Sequence, residues 1–387
     1  MAHTHVLSDT TPAALPAAEA RRARTLLTVL VVPLLLATLA GLVWLWPSGE
    51  SPVGSVPLLA EGMSIETAEI VEVTGTPGEE VRAELLTGVG EGQVIPVQVP
   101  PEVLDNGTEV GDRVRLLFSP TALASGVPYV FWDFERTAPV AWLVVLYAVV
   151  VLLVARWRGL AAMAGLAASL AVVVLFVLPA LMTGAPPLLV ALVGGSAMMF
   201  FSVYLAHGVS VRTTTALLGT FIGLAVTTGL AAWGTRAANL TGATADTSLM
   251  LQGSFPGLRL QDLLLCGIVI AGLGALNDVT ITQASAVWEL HAADPAMPRR
   301  RLWLGGIRIG RDHIASTVYT LAFAYVGTAL PLLLMAASYD RGLADTLMAG
   351  EIAEEVVRTL VSSIGLVLAI PATTAIAAAL VRTSARR

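Results

Sequence analysis

Apolar runs of span length, separated by short polar joints, organise most of this chain, while one long stretch near the N-terminus alternates apolar and polar residues instead. A helix needs about 20 apolar residues to cross a bilayer. By that measure the sequence predicts eight spans, at residues 25–46, 138–155, 159–182, 186–206, 213–234, 262–285, 313–337 and 359–381. The joints between 138 and 234 are only a few residues long, which makes those spans antiparallel neighbours. The predicted fold class is therefore mainly α: a polytopic helix bundle, with a seven-helix part over 138–381 following a first span at 25–46.

Residues 48–135 break the pattern. Alternation over Ser64 to Val73, and short runs near Val81 to Leu86, Gln93 to Val99, Asp112 to Phe118 and Val127 to Phe134, predict about five strands between Gly, Pro and Asn106-Gly107 turn signals. A small barrel resembling an OB-fold is the expectation. Residues 1–24 and 382–387 are expected to be tails, the first of them disordered.

Within the bundle, two polar stripes interrupt the apolar pattern. Asn277 and Asp278 arrive without a turn signal in the sixth span, and Asp278, Thr282, Ser285 and Glu289 are spaced i, i+4, i+7, i+11, on one helical face. Arg308, Arg311, Asp312, Ser316 and Tyr319 repeat the idea on the next helix. Ionisable residues at membrane depth are costly and usually mark a path or a site. Asp278 is thus either an ion or proton relay or a structural acid paired to Arg308 or Arg311. A further cluster, Glu351, Glu354, Glu355 and Arg358, opens the last span. Gly219 with Gly223, and Gly306 with Gly310, have the spacing of close helix packing. Pro179, Pro331 and Pro371 should kink their spans.

Charge adds orientation. All 22 basic residues are Arg, and those flanking the spans fall on alternate sides. The positive-inside rule then places both termini in the cytoplasm and residues 48–135 outside. That outer segment holds 15 acidic residues against three Arg, a net charge of −12, while the rest of the chain, with 13 acidic residues and 19 Arg, carries +6. The eight tryptophans lie near predicted span ends, as interfacial anchors do.

The absence of Lys excludes a P-loop ATPase and Schiff-base chemistry. A single Cys266 excludes an internal disulfide. Glu354-Glu355-x-x-Arg358 is one residue short of an intramembrane metalloprotease element, and His207, His291 and His313 fall at the opposite side. Gly194-Gly195-Ser196-Ala197 lacks the second Gly of a rhomboid-like serine element. No metal or cofactor is expected, and no nucleic acid.

Five blocks carry a family resemblance: Gly272-Leu-Gly274-Ala-Leu-Asn277-Asp278, Gly306-Ile-Arg308-Ile-Gly310-Arg311-Asp312, Ala324-Tyr325-Val326-Gly327, Glu354-Glu355-Val-Val-Arg358 and Ser363-Ile-Gly365 through Pro371. In these the chain resembles the YibE/F-like family of bacterial multi-pass membrane proteins, departing from the pattern at Asn277. The resemblance implies an integral plasma-membrane protein with an external domain after the first span. The stripes point to a transporter or permease component with a polar intramembrane path. The alternatives are a non-enzymatic envelope scaffold that recruits a membrane or envelope partner and, more weakly, an intramembrane hydrolase.

Overall fold

The computed structural model describes residues 17–49, 53–73, 81–105, 107–125, 128–244, 246–255 and 257–381. The two predicted tails fall largely outside these residues, as does Asn106 of the expected turn. The chain divides into two compact units, Gly54–Arg156 and the remainder.

In chain order, α1 (Ala17–Trp44) belongs to the larger unit. The smaller unit begins with strands β1 (Ser64–Val73), β2 (Val81–Leu85) and β3 (Val94–Val97), continues through a short α2 (Pro101–Asp105), and adds β4 (Arg113–Phe118) and β5 (Tyr129–Phe134). All pairings are antiparallel in the order β3-β2-β1-β4-β5. Five strands thus form where alternation predicts them. Irregularities at Ile70/Glu72 and Arg115/Leu116 curl the sheet, because each extra residue bends its strand and raises the local twist. The curl lets Gln98, just past β3, bridge Val130 of β5 in parallel. Inward residues Ala68, Ile70, Val81, Ala83, Leu85, Val114 and Leu116 are all buried in one core.

The charges of this unit stay at its surface. Arg136 hydrogen-bonds Asp133 at 2.6 Å and, with the Phe134 backbone N–H, holds that carboxyl below its usual range. Hydrogen bonds from Thr137 do the same for Glu135. Tyr129 donates its hydroxyl to the Val89 carbonyl, and burial, with Glu66 nearby, pushes the phenol up.

Helix α3 (Thr137–Val172) begins in the smaller unit and leaves helical geometry at Arg156 (φ 54), the unit boundary. A π-turn over Val173–Val177 precedes α4 (Leu178–Met182). Pro179 explains it: the ring removes an N–H and crowds the carbonyl four residues back, which a widened turn absorbs. Then come α5 (Pro187–His207), α6 (Val211–Ala237), α7 (Asp246–Ser254), α8 (Leu260–Ala271), α9 (Leu273–Ala293), α10 (Arg299–Thr328), α11 (Leu330–Ser338), α12 (Leu343–Leu347) and α13 (Gly350–Leu380).

Six of the described helices are long and apolar enough to cross a membrane, seven if α10 and α11, bent by 67°, make one broken span. The count of six takes the 46 residues Thr137–Met182 as one helix, yet its backbone leaves helical geometry at Arg156, where the sequence divides them into two spans. Two predicted boundaries also move. The sixth span runs from Leu260 to Ala293, since the polar residues after Asn277 remain helical. The seventh does not start at 313 but continues a helix begun at Arg299, and it bends near Ala329. Pro331 lies at the start of α11, where its missing N–H costs nothing. Pro371, by contrast, leaves α13 continuous.

Candidate functional site

The bundle interior is built on α6, α9 and α13, and apart from Glu354 its buried polar groups are hydroxyls and an amide among the described residues. Thr213, Thr215, Thr220, Thr227, Thr235, Thr280, Gln283, Ser362, Thr373 and Thr374 are all buried there. The Thr220 and Thr280 hydroxyls meet at 2.6 Å. Gln283 Nε2 donates to the Gly306 carbonyl and to Thr374 Oγ1, both at 2.7 Å, and the Thr374 hydroxyl donates in turn to the Ile370 carbonyl at 2.7 Å. The glycines that sequence spacing marks as packing sites do pack. A Cβ at Gly219 would strike Thr373, one at Gly223 would lie 2.6 Å from Leu276, and one at Gly306 2.7 Å from Thr374.

The two predicted stripes lie elsewhere. Asp278 and Glu289 are exposed on the outer face of α9, with Thr282 and Ser285 half-buried between them. Arg308, Arg311, Asp312, Ser316 and Tyr319 are exposed on α10. Among the described residues no ion pair joins Asp278 to an arginine, and Arg308 and Asp312 do not pair despite their i, i+4 spacing. Asn277 turns inward: its Nδ2 donates to Ser202 Oγ at 3.5 Å, and its buried Oδ1 has no partner.

The acidic cluster at the start of α13 is brought together. Glu354 is 9% exposed; it accepts the Gly242 N–H at 3.1 Å and the Thr244 hydroxyl, tying the α6–α8 connection to α13. Gly242 has φ +68, and a Cβ there would collide with the Leu260 carbonyl, so only glycine fits this approach. Glu355 accepts from Arg358 Nη1 at 2.8 Å, while Glu351 remains half-buried and apart from that pair.

Where α10 bends into α11, a cavity of about 230 Å³ opens beside this cluster, lined by Ala322, Tyr325, Ala329, Leu333, Glu355 and Thr359, with further apolar residues. Among the described residues, Tyr325 OH on α10 and Glu355 Oε2 and Arg358 Nε on α13 are buried near the cavity without a partner. Buried polar atoms nearly always find a partner, and orphans at one place mark a spot for water or a ligand. The wall of the cavity is almost wholly apolar; the Glu355 and Tyr325 oxygens lie buried behind it, and Arg358 pairs with the Glu355 carboxylate. Tyr325 lies outside both polar stripes; the signal pointing to it is its place in the Ala324-Tyr325-Val326-Gly327 block just before a proline-marked bend. No group of three or more His, Cys, Asp or Glu residues suited to a metal occurs among the described residues.

Comparison with known proteins gives one match. The family model of YibE/F-like protein covers residues 143–383, which includes α9, α10, α13 and the cavity between α10, α11 and α13. No curated protein and no solved structure matches. With more than half its length so matched, and its apolar helices of membrane-crossing length, this chain is a membrane protein belonging to the YibE/F-like family.

Proposed function

We propose that the protein is a non-enzymatic transporter or permease component of the bacterial plasma membrane, with its polar site at the bent α10–α11 span rather than along the charged stripes. The observation that carries this reading is the cavity of about 230 Å³ at that bend, where Glu355 and Tyr325 each hold a buried polar atom without a partner. Broken spans in transporters characteristically bring irregular backbone and polar groups together at a binding site. In the same reading both termini are cytoplasmic and the strand unit, whose strand order and β3–β5 bridge agree with an OB-like barrel, faces outward.

Water access is the test. Cysteines introduced singly at Ala329, Thr359 and Ser363 in a Cys266→Ser chain are treated in intact cells with a membrane-impermeant thiol reagent. Labelling of Thr359→Cys and Ser363→Cys, blocked by prior treatment at Ala329→Cys in the paired variant, is the expected result. If all three stay unlabelled while a cysteine in the strand unit reacts, no aqueous path reaches the cavity and the transporter reading fails. A second reading, a scaffold that recruits a membrane partner, is favoured by one observation: the charged stripes face outward and unpaired.

A further inference from the structure

Two cavities follow one another along the first turns of α13. The deeper one is the space of about 230 Å³ beside the α10–α11 bend; the second, of about 170 Å³, is lined by Leu332, Met335 and Tyr339 of α11, by Arg341, and by Ala349 and Glu351. Ile352, itself buried, borders both. Together they accompany α13 from Glu351 to Leu360, about 14 Å along the helix axis. Half of a hydrocarbon core of about 30 Å is the depth of one leaflet, and the slot matches it. It also opens sideways: Val326 and Leu360, which line the deeper cavity, are 47% and 56% exposed, so its mouth lies on the flank of the bundle at span depth.

Size and polarity decide what can fill this slot. Both walls are almost wholly apolar, whereas a water needs about two to four polar partners, so water does not suit the space. A helix, about 10–12 Å across with its side chains, is too thick for it. A flexible hydrocarbon chain fits on both counts. The end of the slot is different. Arg341, just beyond α11, and Glu351, in the first turn of α13, line the same cavity, and neither forms an ion pair among the described residues. The Arg341 guanidinium lies over the Tyr339 ring, 5.3 Å from its centroid, a contact that keeps it at the mouth.

We propose that the slot binds an acyl chain of an aminophospholipid drawn from the adjoining leaflet, with the lipid phosphate at Arg341 and its amine at Glu351. A guanidinium suits phosphate, and a carboxylate suits an ammonium. Asp340 and Asp345 stand exposed in the same segment as Arg341, so a headgroup bearing only negative charge is disfavoured at this mouth and one that also carries a cation is not. The proposal rests on the reading of the α10–α11 cavity as the transport site, and names the class of molecule that site takes.

The full-length chain in mild detergent is titrated with phosphatidylethanolamine and, separately, with phosphatidylglycerol of the same acyl chains, and the adducts are counted by native mass spectrometry. Phosphatidylethanolamine should bind at least about fivefold more tightly. Ala322→Phe, which fills the deeper cavity, should weaken binding by at least about tenfold. Glu351→Gln should erase the preference between the two lipids, while Arg341→Gln should weaken both. Phosphatidylethanolamine with a photoactivatable diazirine in its chain should crosslink to residues 352–360 of α13. Equal affinity for the two lipids overturns the proposal, as does binding unchanged in Ala322→Phe or crosslinks confined to helices other than α10, α11 and α13. If Ala322→Phe fails to insert, Leu333→Trp, on the facing wall, replaces it under the same criterion. Cysteine labelling at Thr359 and Ser363 separates the two possible failures. Labelled cysteines with no lipid bound sink the lipid site and leave an aqueous path; lipid bound in a slot whose cysteines stay unlabelled supports the lipid site and sinks the transporter reading.

Discussion

The two faces of α9 carry polar residues at the same spacing and meet opposite fates. Leu276, Thr280, Gln283 and Val287 run i, i+4, i+7, i+11 and are buried; Asp278, Thr282, Ser285 and Glu289 run at the same intervals two residues on and face outward. The inner face is neutral. Its hydroxyls and amide satisfy one another through Thr220, Gly306 and Thr374, interactions worth about 0.6–2 kcal/mol between membrane helices. A carboxylate at the centre of a span costs about 2.5–3.5 kcal/mol on insertion scales. Among the described residues no arginine pairs with Asp278 or Glu289 to offset that cost; the charged face turns away from the seam, and the neutral one packs.

The strongest way to break this contrast is to spoil the close approach that the inner face requires. Gly219→Ala places a Cβ against Thr373 and should destabilise the bundle by about 1–3 kcal/mol, the usual cost of overpacking. Unfolding in mixed micelles measures it; a neutral result would mean that α6 and α13 do not meet as described. Less disruptive is Gln283→Leu. The Thr374 hydroxyl keeps its bond to the Ile370 carbonyl, so only the interhelical bonds are lost, and the same assay should show a loss of about 1 kcal/mol. Thr282→Val on the outer face is the control, with less than about 0.5 kcal/mol expected. If Thr282→Val costs more than Gln283→Leu, the assignment of the two faces is reversed.

The smallest effect lies in the strand unit, where ion pairs such as Arg136–Asp133 stand exposed at the surface. The Asp133 carboxyl, held below its usual range first by the Arg136 hydrogen bond, contributes stability that is present above the unfolded carboxyl's pKa. That contribution disappears as the pH falls through the lowered folded value. Arg136→Gln should raise the Asp133 titration midpoint, followed by NMR of the side-chain carboxyl, and leave stability at neutral pH nearly unchanged because the group is fully exposed. A midpoint that does not move would show that the Phe134 backbone bond alone sets it.

Much of this architecture was legible beforehand, for a reason that is local. Apolar runs of span length leave few options in a bilayer, and strict alternation between turn residues produces strands, so the helices and β1 to β5 lie close to where the pattern puts them. The proline bend at Pro331 is also a local steric fact, although its 67° angle is not. The pattern of charges does not reach Gln283, because its amide gains its partners only when α10 brings the Gly306 carbonyl and α13 brings Thr374 against it.

Sequence by itself determined which residues share a face, because 3.6 residues per turn is a property of the helix and needs no neighbour. It determined that the chain is a membrane protein, and its motif blocks carried the family. Which face turns inward was decided only by tertiary packing, since that choice weighs the desolvation of Asp278 and Glu289 against the hydrogen bonds open to Thr280 and Gln283, and those partners come from α6, α10 and α13. The same holds for the cavity at Tyr325 and Glu355: it exists because α10 bends away from α13, and no residue of either helix specifies that gap without the other.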